Sequence, residues 1–304
     1  MSDPRPAPLD YALLTVGAAN FAMSFLLTKI GLVGFPPILF VALRLAIASL
    51  ILWAAMKAAG AALPPLADRE AWWLIAATAL FGNALPFALI TWGQVTVPAS
   101  TTAILVAVMP LTTVVLAHFI GDERMTLWAV IGCVLGLAGV SVLMGRDAVS
   151  QIGEGALREW AVVGAAVSFA VNAVLMRRMA GRSMRAMSYG MILVAFAMLA
   201  PVALVVNPPE TVDASWSAVA ALVAAGIFPT AIGTLIIINI TKRAGAPFLS
   251  QINFLVPVFG VAFAAIFLGE SIEPRAGIAL ALVLAGIAVS RIGREPRTIA
   301  RGRA

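Results

Sequence analysis

The chain has 304 residues, of which 62% are hydrophobic and only 11% charged, with a net charge of +6. A water-soluble domain carries about a quarter charged residues, so lipid must solvate much of this surface. The cations lie between and beyond apolar segments and form no polar domain that would hold a nucleic acid, so they are read as membrane topology.

The first ten residues, Met1 to Asp10, are polar and proline-rich. They lack the basic region, apolar core and small-residue cleavage site of a secretory signal, so the first apolar segment is expected to persist. A membrane span needs about 20 apolar residues. Ten such segments follow, roughly 11–33, 36–58, 70–92, 97–119, 126–144, 158–179, 186–206, 215–240, 246–268 and 274–292. The connections are short, and none is large enough to fold as a soluble domain. The expected fold is an all-α integral membrane protein.

With the N-terminus inside, Arg5, Lys57, Arg69, Arg124, Arg177, Arg178, Arg182, Arg185, Lys242 and Arg243 fall on the cytoplasmic side. The tail cations Arg291, Arg294, Arg297, Arg301 and Arg303 join them. Lys29, Arg146, Arg158 and Arg275 fall outside, and Arg44 is left within the bilayer. This bias predicts that both the N- and C-termini are cytoplasmic, which requires an even number of spans. Trp53, Trp72, Trp73, Trp92, Trp128, Trp160 and Trp216 all fall near predicted helix ends, where an indole has lipid on one side and water on the other.

Sliding the chain by 147 residues aligns its two halves. Gly17-Ala18-Ala19 falls on Gly164-Ala165-Ala166, Phe81 on Phe228, Pro110 on Pro257, Glu123 on Glu270, and Leu137-Ala138-Gly139 on Leu284-Ala285-Gly286. The chain is therefore two five-helix repeats, 11–144 and 158–292, with a basic tail at 293–304. An odd number of spans per repeat inverts the second relative to the first, a plan that in transporters places substrate at the repeat interface. Glu123 is expected on the cytoplasmic side and Glu270 outside, each capping or pinning a helix.

The stretch from Phe21 to Lys29, followed by Pro37 and Arg44, resembles the opening of the EamA-type family of the drug/metabolite transporter superfamily. Pro110, the run Glu123-Arg124-Met125-Thr126, Gly132 and Gly139 are similar to the end of its repeat. Pro257, Gly269-Glu270 and Gly286 are similar to the same features in the second copy. The resemblance implies ten helices, cytoplasmic termini and export of small metabolites, commonly amino acids in bacterial members. The 147-residue offset places Met176 opposite Lys29 and Met191 opposite Arg44, so the first half alone carries these cations.

Arg44 lies about 12 Å into its helix. It is either a contact for a substrate carboxylate and a source of positive potential, or a guanidinium bonded to carbonyls at a broken helix end. Lys29 either snorkels to the headgroups or steers substrate. Asn20, Ser24, Asn83, Ser168, Asn172 and Thr230 come from four helices. They either line a cavity, with Phe21 and Phe25 as apolar walls, or bond helix to helix. Pro86, Pro110, Pro229 and Pro257 lie inside spans and serve either as hinges or as static kinks. Gly132, Gly136, Gly139, Gly277 and Gly286 mark the fifth and tenth helices as packing or homodimer surfaces.

The one histidine, His118, and the one cysteine, Cys133, are too isolated for a metal site. No cofactor, metal or catalytic constellation is expected, and no Walker A sequence is present. No Asp or Glu lies at mid-membrane, which favours facilitated efflux or exchange over ion coupling. The sequence thus points to an inner-membrane exporter of small metabolites, neutral or aromatic amino acids foremost, working by alternating access. The alternative is a multidrug efflux transporter, against which the missing buried acid counts.

Overall fold

A computed structural model describes residues 7–120, 125–144, 154–179, 181–206 and 212–292. Arg5, Glu123, Arg124, Arg146 and the tail 293–304 lie outside the described residues. Among the described residues eight helices are long and apolar enough to cross a membrane. These are α1 (Pro8–Gly31), α2 (Pro37–Ala58), α3 (Arg69–Gly93), α4 (Ala99–Phe119), α5 (Leu127–Met144), α6 (Gly155–Arg177), α7 (Met184–Val206) and α8 (Trp216–Gly245). Two shorter apolar helices follow, α9 (Ile252–Leu268) and α10 (Pro274–Val289).

Local chemistry sets the ends of these helices. Pro37 and Pro274 open α2 and α10 at positions where a missing N–H costs nothing. Asp68 caps α3 by accepting from Ala71 N–H at 3.0 Å, and Ser215 caps α8 by accepting from Ala218 N–H at 3.3 Å. Gly269, at φ 64°, stops α9.

Helix packing follows the 147-residue repeat. Helix α1 lies against α8 and α9, and α6 lies correspondingly against α3 and α4. Helices α2 and α7 pack on each other, as do α5 and α10. Each packing pair is thus mapped onto another, or onto itself, by exchanging the halves, as a two-fold relation requires.

Contacts between connections sort into two ends. At one end Asp213 N–H donates to Gly34 O (3.2 Å), joining the α7–α8 and α1–α2 connections, and Glu270 reaches the start of α4. At the other end Arg182 pairs with Asp68, Arg243 pairs with Asp10, and Arg291 donates to Ser250 O (2.9 Å). Asp10 and Arg291, near the two ends of the chain, therefore lie at the same end of the bundle.

The expected ninth segment, 246–268, is interrupted. Gly245, at φ 81°, kinks the preceding helix, which runs on to Leu249; a turn at Ser250–Gln251 then separates it from the helix that begins at Ile252. The Ser250 carbonyl freed there accepts from Asn253 Nδ2 (3.1 Å) as well as from Arg291. Polar side chains that satisfy a carbonyl make such a break tolerable, and apolarity alone did not signal it.

The four inner prolines behave differently. Pro110 follows a two-residue break in α4 at Ala107–Val108, where its ring excludes the preceding helical bond. Pro229 lies inside a π-helical turn of α8, and Pro86 lies just beyond one in α3. Pro257 sits within continuous α9.

The glycine stripes of α5 and α10 meet inside the chain. A Cβ on Gly132 would lie 2.5 Å from Gly286 O, and one on Gly286 would lie 2.6 Å from Gly132 O. Gly277 faces open space. These helices are thus intramolecular packing partners, their backbones in near contact.

Candidate functional site

The repeat also shows in the backbone. Helix α3 widens into a π turn over Leu80–Ala84, and α8 does so over Gly226–Ile232, the same place in the other half. A π turn leaves carbonyls without their usual helical partners, and such turns cluster at functional sites. Here the opposite repeat supplies the missing donors. Asn20 Nδ2 of α1 donates to Phe228 O (2.9 Å), and Ser168 Oγ of α6 donates to Phe81 O (2.9 Å). The acceptors Phe81 and Phe228 are repeat equivalents, and the donors Asn20 and Ser168 lie one position out of that register, so the two bonds form an approximate pair across the half-to-half interface.

Close approach at these turns depends on glycine. A Cβ on Gly82 would lie 2.7 Å from Asn172 Oδ1, and one on Gly233 would lie 2.9 Å from Asn20 Nδ2 and 3.0 Å from the Phe21 ring.

Arg44 supplies the charge. It is 3% exposed on α2, and its Nε donates to Thr230 Oγ1 at 2.7 Å within the α8 π turn. Thr230 in turn donates to Ala225 O at 2.7 Å, so its hydroxyl is used in both directions. The guanidinium carbon stands 4.5 Å above the Phe87 ring of α3, and Phe87 meets Phe169 of α6 edge-on at 6.2 Å. Among the described residues Arg44 has no ion-pair partner, and its two terminal nitrogens have no hydrogen bond. The alternative of a guanidinium bonded to carbonyls of a broken helix does not apply.

Two amides add unclaimed polarity. Asn83, in the α3 π turn, is buried and has no side-chain hydrogen bond among the described residues. Its repeat equivalent is Thr230, which has Arg44 as its partner, whereas Met191 stands where Asn83 would find its own arginine. Asn172 Oδ1 is sealed from solvent and likewise unpartnered. Buried polar groups without partners cost about 1–3 kcal/mol each. Asn83 lies in the α3 π turn, one helical turn before Phe87, and Asn172 of α6 approaches the same turn at Gly82.

The nine predicted pathway residues therefore divide. Arg44 and Thr230 touch each other. Asn20 and Phe21 face the α8 π turn, and Ser168 and Asn172 face the α3 π turn that holds Asn83. Phe25 does not join them: it is buried in the core with Ile90, Ala99, Ala103 and Ala165. Ser24 is partly exposed and has no hydrogen bond among the described residues. Sequence reasoning missed Phe87, Phe169, Gly82 and Gly233. The i, i+4 pair Asn83 and Phe87 was the available signal for the first of these.

Lys29 does not reach outward. Its ammonium donates to Gln94 O (2.7 Å) and Val97 O (3.2 Å), neutralising the C-terminal end of α3. Glu270 accepts from Ala99 N–H (2.7 Å), Ser100 N–H (3.0 Å) and Ser100 Oγ (2.6 Å), capping α4 from the other repeat. The α3–α4 connection is thus gripped by a cation at one side and an anion at the other.

At the opposite end Asp68 meets Arg182 at 2.7 Å. The Ala71 N–H and the Arg182 guanidinium hold the Asp68 carboxyl below its ordinary value of 3.8, while Asp68 raises Arg182. His118 is exposed near the end of α4 and accepts from Met125 N–H (3.3 Å). Cys133 directs its thiol to Leu111 O (3.8 Å). Among the described residues no group of three or more His, Cys, Asp or Glu is placed to hold a metal ion.

A family model described as the EamA-like transporter family matches residues 10–145 and 157–292, one copy in each half. The chain belongs to this family. As an EamA-like transporter it is a multi-pass membrane protein with the two-repeat fold described above. It is 29% identical over 279 residues, covering 90% of both chains, to a probable terminal-alkyne amino-acid exporter of Streptantibioticus cattleyicolor. A protein of known crystal structure shares its fold, with a TM-score of 0.66 at 24% identity over 92% of this chain and 96% of the other.

Proposed function

We propose that this EamA-like transporter exports a small amphipathic amino acid, neutral or aromatic, across the inner membrane by alternating access. One observation carries the substrate class. A buried arginine, held on one edge by Thr230, keeps its terminal nitrogens unclaimed beside Phe87, whose helix also carries the unpartnered amide of Asn83, with that of Asn172 against its π turn. A carboxylate would take the guanidinium, the aromatic pair Phe87–Phe169 would take an apolar side chain, and the amides would take the amino group. The amino-acid exporter among its relatives supports the same class.

All ten helices span the membrane in this reading, with both termini cytoplasmic. The units 11–144 and 158–292 insert in opposite orientations, and 293–304 is a cytoplasmic tail. The short helices α9 and α10 complete the count that the charge bias demands. The π turns with Pro86 and Pro229, together with the Pro110 break and Pro257, are where the halves flex. Ser24 and Phe25 flank the path without contacting substrate. The glycine faces of α5 and α10 are consumed within the chain, so a homodimer would use their lipid-facing sides.

Counterflow in proteoliposomes tests this reading. Labelled L-phenylalanine, L-leucine and a cationic dye are each offered at several pH values. Exchange of an amino acid is expected, with little pH dependence because among the described residues no buried acid stands at the site. Exchange of the dye alone would replace the amino-acid reading with multidrug efflux.

A further inference from the structure

A cavity of about 530 Å³ lies between the ends of α2 and α6, the start of α7 and the late part of α8. None of the pathway residues lines it. Along α2, its rim at Ala59 stands fifteen residues from Arg44, about 22 Å at helical rise. It is a separate site.

Its walls combine two chemistries. Met176, Met179, Met184 and Met187 give flexible, polarisable apolar surface. Arg182, Arg185 and Lys242 give positive charge. Arg182 is already held by Asp68 and Glu70. Arg185 and Lys242 have no hydrogen bond or ion pair among the described residues. The 23-residue helix α7 also begins here, turning the positive end of its dipole to the cavity. Ser188, one turn further on, is nine-tenths buried and lines the cavity, and its hydroxyl has no partner among the described residues.

We propose that this cavity is a binding site for an amphipathic anion, with a carboxylate or phosphate head on Arg185, Lys242 and Ser188 and an apolar body against the methionines. Two unpaired cations, a buried hydroxyl and a helix N-terminus, lining one cavity together with four methionines, match a ligand with one charged end and an apolar body. Two sources share that chemistry: the carboxylate of the transported amino acid, captured before it moves to Arg44, and the phosphate of an anionic lipid. Basic clefts between helices at a membrane surface hold such headgroups. The first source rests on the exporter reading, whereas the anion site does not.

The test uses the full chain, as wild type, as Arg185→Gln/Lys242→Gln, as Lys242→Gln alone, and as the charge-keeping Arg185→Lys/Lys242→Arg. Native mass spectrometry measures retention of phosphatidylglycerol against phosphatidylcholine. Counterflow of labelled L-phenylalanine is measured in vesicles of phosphatidylcholine only. The double Gln variant is expected to lose roughly 10- to 30-fold in one of the two readouts, as removal of two surface cations implies. Lys242→Gln loses part of this, and the charge-keeping pair loses little.

Loss confined to phosphatidylglycerol retention identifies a lipid headgroup. A raised KM with unchanged kcat identifies the substrate carboxylate. Wild-type behaviour of the Gln variants in both readouts overturns the proposal. If the wild-type protein moves no amino acid, the exporter reading fails, and phosphatidylglycerol retention alone decides the anion site.

Discussion

Replacing Arg44 by Met gives the first repeat the residue that the second already carries at Met191. The variant loses one hydrogen bond from a charged group, to Thr230 at 2.7 Å, worth about 1.5–3 kcal/mol. It also loses the contact with Phe87, worth about 0.5–2 kcal/mol. Against these losses, an arginine at the centre of a span costs about 2.5–3.5 kcal/mol to bury, and methionine removes that cost. The midpoints of the opposing contributions nearly cancel, so folding stability is expected to fall by about 0.5 kcal/mol, and by no more than about 2.5 kcal/mol. Transport is expected to change much more, because a guanidinium–carboxylate contact worth about 1.5–3 kcal/mol corresponds to roughly 10- to 150-fold in kcat/KM. Thermal unfolding in detergent and amino-acid counterflow, run on the same preparation, separate the two effects. Wild-type counterflow in Arg44→Met would refute the assignment of Arg44 to the substrate. A large drop in unfolding temperature, with transport lost in proportion, would make the arginine a structural element only.

Ser168→Ala and Asn20→Ala each leave a π-turn carbonyl unclaimed, and each is expected to cost about 0.6–1.5 kcal/mol, read by thermal unfolding. Because the acceptors are repeat equivalents, both variants are expected to lose stability, and a loss from only one of them would argue against a paired hinge. Gly132→Ala drives a Cβ to within 2.5 Å of a backbone oxygen that has no room to retreat, with an expected loss of about 1–3 kcal/mol in the same assay. The Asp68–Arg182 contact has a defined pH window. A carboxyl lowered in the folded state contributes above its unfolded value and is lost as pH falls through its folded value, so the contact is intact at pH 5–8 and fails only below 3.8. Asp68→Asn should therefore increase thiol labelling of a cysteine placed at Ala61 equally at pH 5 and pH 8, and a difference that appears only at pH 8 would contradict the assigned direction.

The sequence alone determined the solvent, the helical character and the repeat. Lipid as solvent follows from a charge content too low for water, and helices follow because a chain in lipid must satisfy its own backbone. The 147-residue offset was legible because Phe81 and Phe228, and Pro110 and Pro257, recur at one spacing. The family resemblance rests on residues readable along the chain, from Phe21 to Lys29, Pro37 and Arg44 in the first half to Pro257, Glu270 and Gly286 in the second.

Only the tertiary structure decided what those residues touch. Asn20 and Ser168 were legible as polar groups in spans, but that each serves a carbonyl of the opposite repeat depends on two π turns that no local propensity encodes. Lys29 could be read as snorkelling or as steering substrate, and only the fold brings Gln94 O and Val97 O within its reach. Phe25 shares a stripe with Phe21 on α1, yet one turn of helix separates a ring that meets a π turn from one buried in the core. The break near Ser250 lies in an apolar segment where composition offers no warning. The anion cavity gathers residues from α2, α6, α7 and α8, and no spacing along the chain relates Lys242 to Ser188. Periodicity reports which face of a helix is apolar, whereas the partner across an interface is fixed only when the whole bundle closes.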